Sequence, residues 1–87
     1  MPNVWIPPLL RDLTGGQERI TVPGETVRQV IENLEVRYPG VKGRLCDGDR
    51  LRSGLSVAVD GKLSPQKLRQ PLTEMSEVHF IPAISGG

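Results

Sequence analysis

Eighty-seven residues make one domain, which buries only about 60% of the surface its unfolded chain exposes, so a deep substrate cavity would consume much of the single core and a self-sufficient enzyme is disfavoured. Eleven basic and ten acidic residues leave a net charge of +1 without a basic cluster, and Trp5, Tyr38 and Phe80 are the whole aromatic complement, which excludes the footprint of a nucleic-acid binder. No apolar run reaches the roughly 20 residues of a membrane helix, Met1-Pro2-Asn3-Val4 lacks a signal-peptide layout, and the one cysteine, Cys46, forms no internal disulfide, so a cytoplasmic protein is expected.

Val4-Trp5-Ile6 reads as an opening strand, with Val4 and Ile6 on one face and Trp5 on the other. Pro7-Pro8 cannot donate ladder hydrogen bonds, so the strand either lies at an edge locally or ends there. Thr14-Gly15-Gly16-Gln17 is a turn, and Arg19 to Val22 alternates as the returning strand. Pro23-Gly24 breaks that strand before a helix. Thr26 is its N-cap, and Gln29 three residues on completes a capping-box pattern. Val27, Val30, Ile31, Leu34 and Tyr38 form one apolar stripe, and Pro39-Gly40 stops the helix.

Residues 41–54 read as a loop with one short helical turn at Val41 to Leu45. Leu55 to Val59 alternates as a strand, and Asp60-Gly61 predicts a type I′ hairpin. The return strand at Lys62-Leu63 is cut short by Pro65. Pro71-Leu72 opens another connection. Glu77 to Ile81 is the last strand, with Val78 and Phe80 on one face and His79 and Ile81 on the other. The expected architecture is α+β: a mixed sheet of four to five strands with one main helix across one face. The first and last strands pair in parallel through its middle, which is a β-grasp, or ubiquitin-like, roll. The domain spans residues 1–82, and residues 83–87 form a flexible tail.

The interior holds no catalytic constellation. One histidine and one cysteine do not make a metal site. Nothing local activates Cys46, which reads as an inert thiol. His79 reads as a surface or interface residue without a positioned partner. The chain end is different. At an average glycine usage of about 7%, a terminal Gly-Gly is roughly a 0.5% event, and here it is Gly86-Gly87. Glycine lacks Cβ, so its backbone can approach a partner's catalytic groups closely. A five-residue tail spans at most about 17 Å, enough to enter a neighbouring active site. Its carboxylate is a poor electrophile until ATP converts it to an acyl-adenylate. The chain has no ATP-binding motif, so a partner must do this.

The segment Phe80-Ile81-Pro82-Ala83-Ile84-Ser85-Gly86-Gly87 resembles the ending of the MoaD/ThiS sulfur-carrier proteins. Asp12-Leu13-Thr14-Gly15-Gly16-Gln17 resembles the MoaD-like and cysteine-biosynthesis carriers, and Thr26 to Tyr38 matches the family helix. The resemblance implies a cycle at the C-terminus. A ubiquitin-activating-like adenylyltransferase activates Gly87, a sulfur donor converts it to a thiocarboxylate, and a client synthase of molybdopterin, cysteine or a related pathway takes the sulfur. Gly87 carries the group, Gly86 threads it, and Ala83, Ile84 and Ser85 guide the tail. Trp5, Ala58 and Ile81, on the helix-free sheet face, form the docking surface. The chain is then a carrier rather than an enzyme, or the small subunit of a synthase, and binds no cofactor or metal of its own. It ends at Gly87 and would need no trimming. Two alternatives stay open: a ubiquitin-like modifier joined through Gly87 to target lysines, and a non-covalent adaptor domain.

Overall fold

A computed structural model describes residues 1–82 of the protein. In chain order the strands are β1 (Asn3–Trp5), β2 (Arg19–Thr21), β3 (Cys46–Asp47), β4 (Arg50–Leu51), β5 (Leu55–Val59), β6 (Lys62–Leu63) and β7 (Glu77–Pro82). The helices are α1 (Val27–Arg37) and α2 (Val41–Leu45), with 3-10 turns at Pro8–Leu10 and Lys67–Arg69. Five strands form a sheet in the order β2-β1-β7-β5-β6, and β3 pairs with β4 as a separate hairpin. β1 and β7 run parallel at the centre, and the other pairs are antiparallel. This is the β-grasp arrangement, with five strands.

Alternation along each strand decides which side chains are buried. Val4, Ile20, Val57, Val78 and Phe80 point to one face and meet Val27, Val30, Ile31 and Leu34 of α1 in one core. None of these residues is more than 4% exposed. The apolar stripe of α1 therefore covers one face of the sheet and leaves the other uncovered by helix. Leu10, Val41, Leu45 and Leu51 close the ends of the core.

The local signals act largely as expected. Asp60 and Gly61 both have positive φ, 53° and 83°, as a type I′ turn requires. The Thr26 side chain accepts the Gln29 N–H at 3.2 Å. The reciprocal half of the capping box shifts by one residue: Gln29 Oε1 accepts the backbone N–H of Glu25 at 2.8 Å rather than that of Thr26. α1 ends at Arg37, with Tyr38 as a non-helical cap that still rests against the core. The expected loop after α2 contains a hairpin, Cys46–Asp47 against Arg50–Leu51, that turns through Gly48-Asp49.

Candidate functional site

The helix-free face of the sheet carries a row of side chains in register across all five strands. Arg19 is paired with Trp5, Trp5 with His79, His79 with Ala58, and Ala58 with Leu63. Trp5 is the centre of this row. Its ring stacks on His79 with centroids 5.3 Å apart and planes within 8°. From the neighbouring strand on its other side, the Arg19 guanidinium lies 5.6 Å from the Trp5 ring centroid. Trp5 Nε1–H donates to Glu77 Oε1 at 2.8 Å, and Asn3 Nδ2 donates to Glu77 Oε2 at 2.7 Å. The Glu77 backbone N–H is in turn held by the Asp60 carboxylate at 2.9 Å.

These contacts fix the plane and the tilt of the indole. They also fix the charge of Glu77, whose carboxyl lies below the usual carboxylate range, chiefly because of the Trp5 N–H bond, with Asn3, Arg19 and His79 adding. Arg19 and His79 flank an aromatic face, an arrangement that favours cationic and planar partners of the ring. Trp5 is therefore held in one orientation by contacts on both sides of its ring and at its N–H.

Ile81 lies further along β7, opposite Ser56 and 43% exposed. Pro82 follows it, paired with Leu55. Leu63, 66% exposed, closes the row at the sheet edge. Of the expected docking residues, Trp5 and Ile81 offer accessible surface. Ala58 is on the same face but only 6% exposed, so it shapes the floor between its neighbours rather than presenting a contact. Ala83, Ile84, Ser85, Gly86 and Gly87 lie outside the described residues. Sequence reasoning put Trp5 on the helix-free face, where the structure has it, but missed Glu77, Arg19 and Asn3 as its partners. The i, i+2 spacing of Glu77 and His79 put both on the outward face, and parallel pairing with β1 would have set them beside Trp5.

Cys46 is buried, and burial pushes its thiol pKa up against the opposing pull of Lys42, Arg28 and Arg52. A thiol held in its protonated form is a weak nucleophile. It borders an open groove of about 620 Å³ that also includes Glu35 and Lys42. The Glu35 carboxylate is occupied there by the backbone N–H groups of Gly40 and Lys42. Among the described residues, no three His, Cys, Asp or Glu side chains cluster as metal ligands, and no helix is long and apolar enough to cross a membrane.

Residues 4–87 match the model of the ThiS family. The sulfur carrier protein CysO of Mycobacterium tuberculosis is 33% identical over 91 aligned positions, covering 98% of this chain and 97% of that protein. A chain of the crystallised BexX/CysO complex of Amycolatopsis orientalis superposes with a TM-score of 0.90 at 30% identity, with all of both chains covered. Mycobacterium tuberculosis CysO superposes at 0.88 with 29% identity, covering 97% of this chain and all of that one. The small archaeal modifier protein 1 of Methanosarcina acetivorans, 23% identical, shares the fold at a TM-score of 0.78. With its β-grasp sheet, its outward aromatic row and a family match that runs to the final glycine, the chain belongs to the ThiS family of ubiquitin-like sulfur carriers.

Proposed function

We propose that this chain carries sulfur for cysteine biosynthesis as a thiocarboxylate on Gly87. The observation that carries the reading is the end-to-end match: the family model extends through Gly87, and the curated CysO relative aligns over nearly the whole of both chains. The chemistry runs in three balanced steps. The Gly87 carboxylate attacks ATP in a partner adenylyltransferase, giving an acyl-adenylate and releasing pyrophosphate. A hydrosulfide-level sulfur adds to the acyl carbon and expels AMP, leaving a thiocarboxylate. A client synthase takes that sulfur, and Gly87 returns to carboxylate with an oxygen from water.

On this reading the domain supplies no catalytic group. Gly86 and Gly87 enter the partner's site, Ala83, Ile84 and Ser85 lead them there, and Trp5 and Ile81 dock the body. The work is cytoplasmic, since one cysteine requires no oxidising compartment. The test is intact-mass spectrometry of the chain purified from its native cells under reducing conditions. A population heavier by one oxygen-to-sulfur replacement, localised to the C-terminal peptide and lost on deletion of Gly86-Gly87, is expected. An unmodified carboxylate that stays unchanged in cell extract with ATP and a sulfur source would overturn the reading. A ladder of lysine conjugates in place of the thiocarboxylate would move the function to protein modification.

A further inference from the structure

Beside the end of β7 lies a groove of about 550 Å³ bounded by Arg50, Arg52, Lys67, Asp47 and Leu55. Three cations face one carboxylate there, in a chain whose net charge is only +1. Arg11, Arg28, Lys42 and Arg44 each have a carboxylate partner within 4.0 Å. Among the described residues Arg50, Arg52 and Lys67 have none within that distance. Arg52 spends only its Nε–H, on the Gly43 carbonyl at 2.9 Å, which leaves the rest of its fork of donors open. Lys67 has φ of 53°, a left-handed conformation uncommon for a residue with a side chain. Such a conformation persists only where the surroundings hold it, and it is a recurrent mark of functional surfaces. All three residues are exposed.

We propose that this groove binds an acidic segment of the protein that takes the tail. The inference rests on the carrier reading, and three features carry it. First, the groove lies beside the last described residue of β7, since Leu55 at its rim pairs with Pro82. Second, the cations come from two separate stretches: Arg50 and Arg52 in and just after β4, and Lys67 at the start of the 3-10 turn at Lys67–Arg69. They surround a space much larger than one phosphate, which suits carboxylates spaced along an extended chain. Third, unpaired charges on a nearly neutral protein steer an oppositely charged partner into register and raise its association rate.

The experiment compares R50E, K67E and R50E/K67E with K62E. Lys62 is an exposed cation paired with Val59, at the opposite end of β5 from Leu55. Arg52 is left intact because its bond to Gly43 supports the fold. Each variant is first melted, so that only folded protein is compared. Thiocarboxylate formation is then followed by mass in native-cell extract with ATP and sulfide, at low and high salt. The expected result is a fall of about tenfold or more in the second-order rate for R50E/K67E at low salt, little change for K62E, and convergence of all rates at about 1 M salt, where the Debye length is about 3 Å. In parallel, ¹⁵N-labelled full-length chain is titrated with a hexaglutamate peptide, inorganic phosphate and AMP. Amide shifts confined to Arg50, Arg52 and Lys67 with the peptide support the proposal. Stronger shifts with phosphate or AMP would overturn it in favour of a small-anion site, and equal rates for R50E/K67E and K62E would overturn it altogether. If the wild-type chain forms no thiocarboxylate while the peptide still maps to the groove, the carrier reading has failed and the acidic-ligand site has not.

Discussion

Val78 and Ile81 are three residues apart on one strand and face opposite ways, so replacing each with alanine should separate folding from docking. Val78 is fully buried, paired with Val4 on one side and Val59 on the other. Val78→Ala removes two methylene equivalents at about 0.8 kcal/mol each. The close-packed neighbours refill the space only in part, and the cavity term brings the cost to about 2–3 kcal/mol. An 87-residue domain holds a total of only about 4–13 kcal/mol. The melting temperature should therefore fall by about 10–20 °C. Ile81 is 43% exposed and opposes Ser56 on the outer face. Removing three methylene equivalents from a half-covered site opens no enclosed cavity, so Ile81→Ala should cost about 1 kcal/mol and about 5 °C. Function should order the other way. Well below its melting point V78A should form thiocarboxylate at the wild-type rate, while I81A should slow about five- to tenfold, as expected for a contact worth more than about 1 kcal/mol. Thermal melts and the extract assay read both effects on the same samples. Equal destabilisation by the two variants, or a rate loss in V78A but not I81A, would refute the division of β7 into a structural face and a docking face.

Thr26→Ala should cost about 1 kcal/mol by freeing the Gln29 N–H, visible as a lower denaturation midpoint and faster amide exchange in the first turn of α1; an unchanged midpoint would mean that the cap contributes nothing. Two glycine substitutions should move stability in opposite directions. A Cβ at Gly24 would lie 2.7 Å from Val30 Cγ2 and 2.8 Å from the Val30 backbone nitrogen, so Gly24→Ala should cost about 1–3 kcal/mol. Gly43, inside α2, has nothing within 4 Å of such a Cβ, so Gly43→Ala should add about 0.5–1 kcal/mol, and chemical denaturation of the pair tests both signs. The Glu77 carboxyl has its pKa lowered in the folded state, chiefly by the Trp5 N–H bond. The stability it contributes is thus complete above about pH 5, the top of the unfolded carboxylate range, and is lost as pH falls through the lowered folded value. The gap in melting temperature between wild type and E77Q should be widest near neutrality and close in acid; a gap independent of pH would show that the carboxylate is not what holds Trp5.

Elements with strong local signals were legible in the sequence. The α1 stripe, the Asp60-Gly61 turn and the alternation of Leu55 to Val59 each specify one backbone shape, and the order of elements then leaves few ways to bury one helix face on one sheet. The β3–β4 hairpin was not legible because two-residue strands are too short to show a period. Its signals are only Cys46 and Leu51, which pair across the turn at Gly48-Asp49. The capping box was read by its spacing, but which backbone N–H Gln29 reaches depends on how the chain enters α1, where Thr26 forms a bridge with Pro71. The site shows the same limit. Trp5 and Ile81 follow from alternation within single strands, whereas the Glu77–Trp5 bond and the Trp5–His79 stack require the register of β1 on β7. That register joins residues more than seventy positions apart, which no local pattern encodes.

On the carrier reading, the placement of β7 explains how this domain would serve chemistry at the chain's end. A strand at a sheet edge is held by one ladder, but β7 is held by two, β1 on one side and β5 on the other. Val78 and Phe80 anchor it in the core from one face, and His79 locks to Trp5 on the other. Its last residue is Pro82, which has no N–H with which to continue a ladder. The end of β7 at Pro82 is thereby fixed relative to the outer face. On the carrier reading, a partner that grips Trp5 and Ile81 would receive the following residues from a known origin, and five residues span at most about 17 Å. On that reading the sheet supplies the precision, and the reactive group needs no side chain at all.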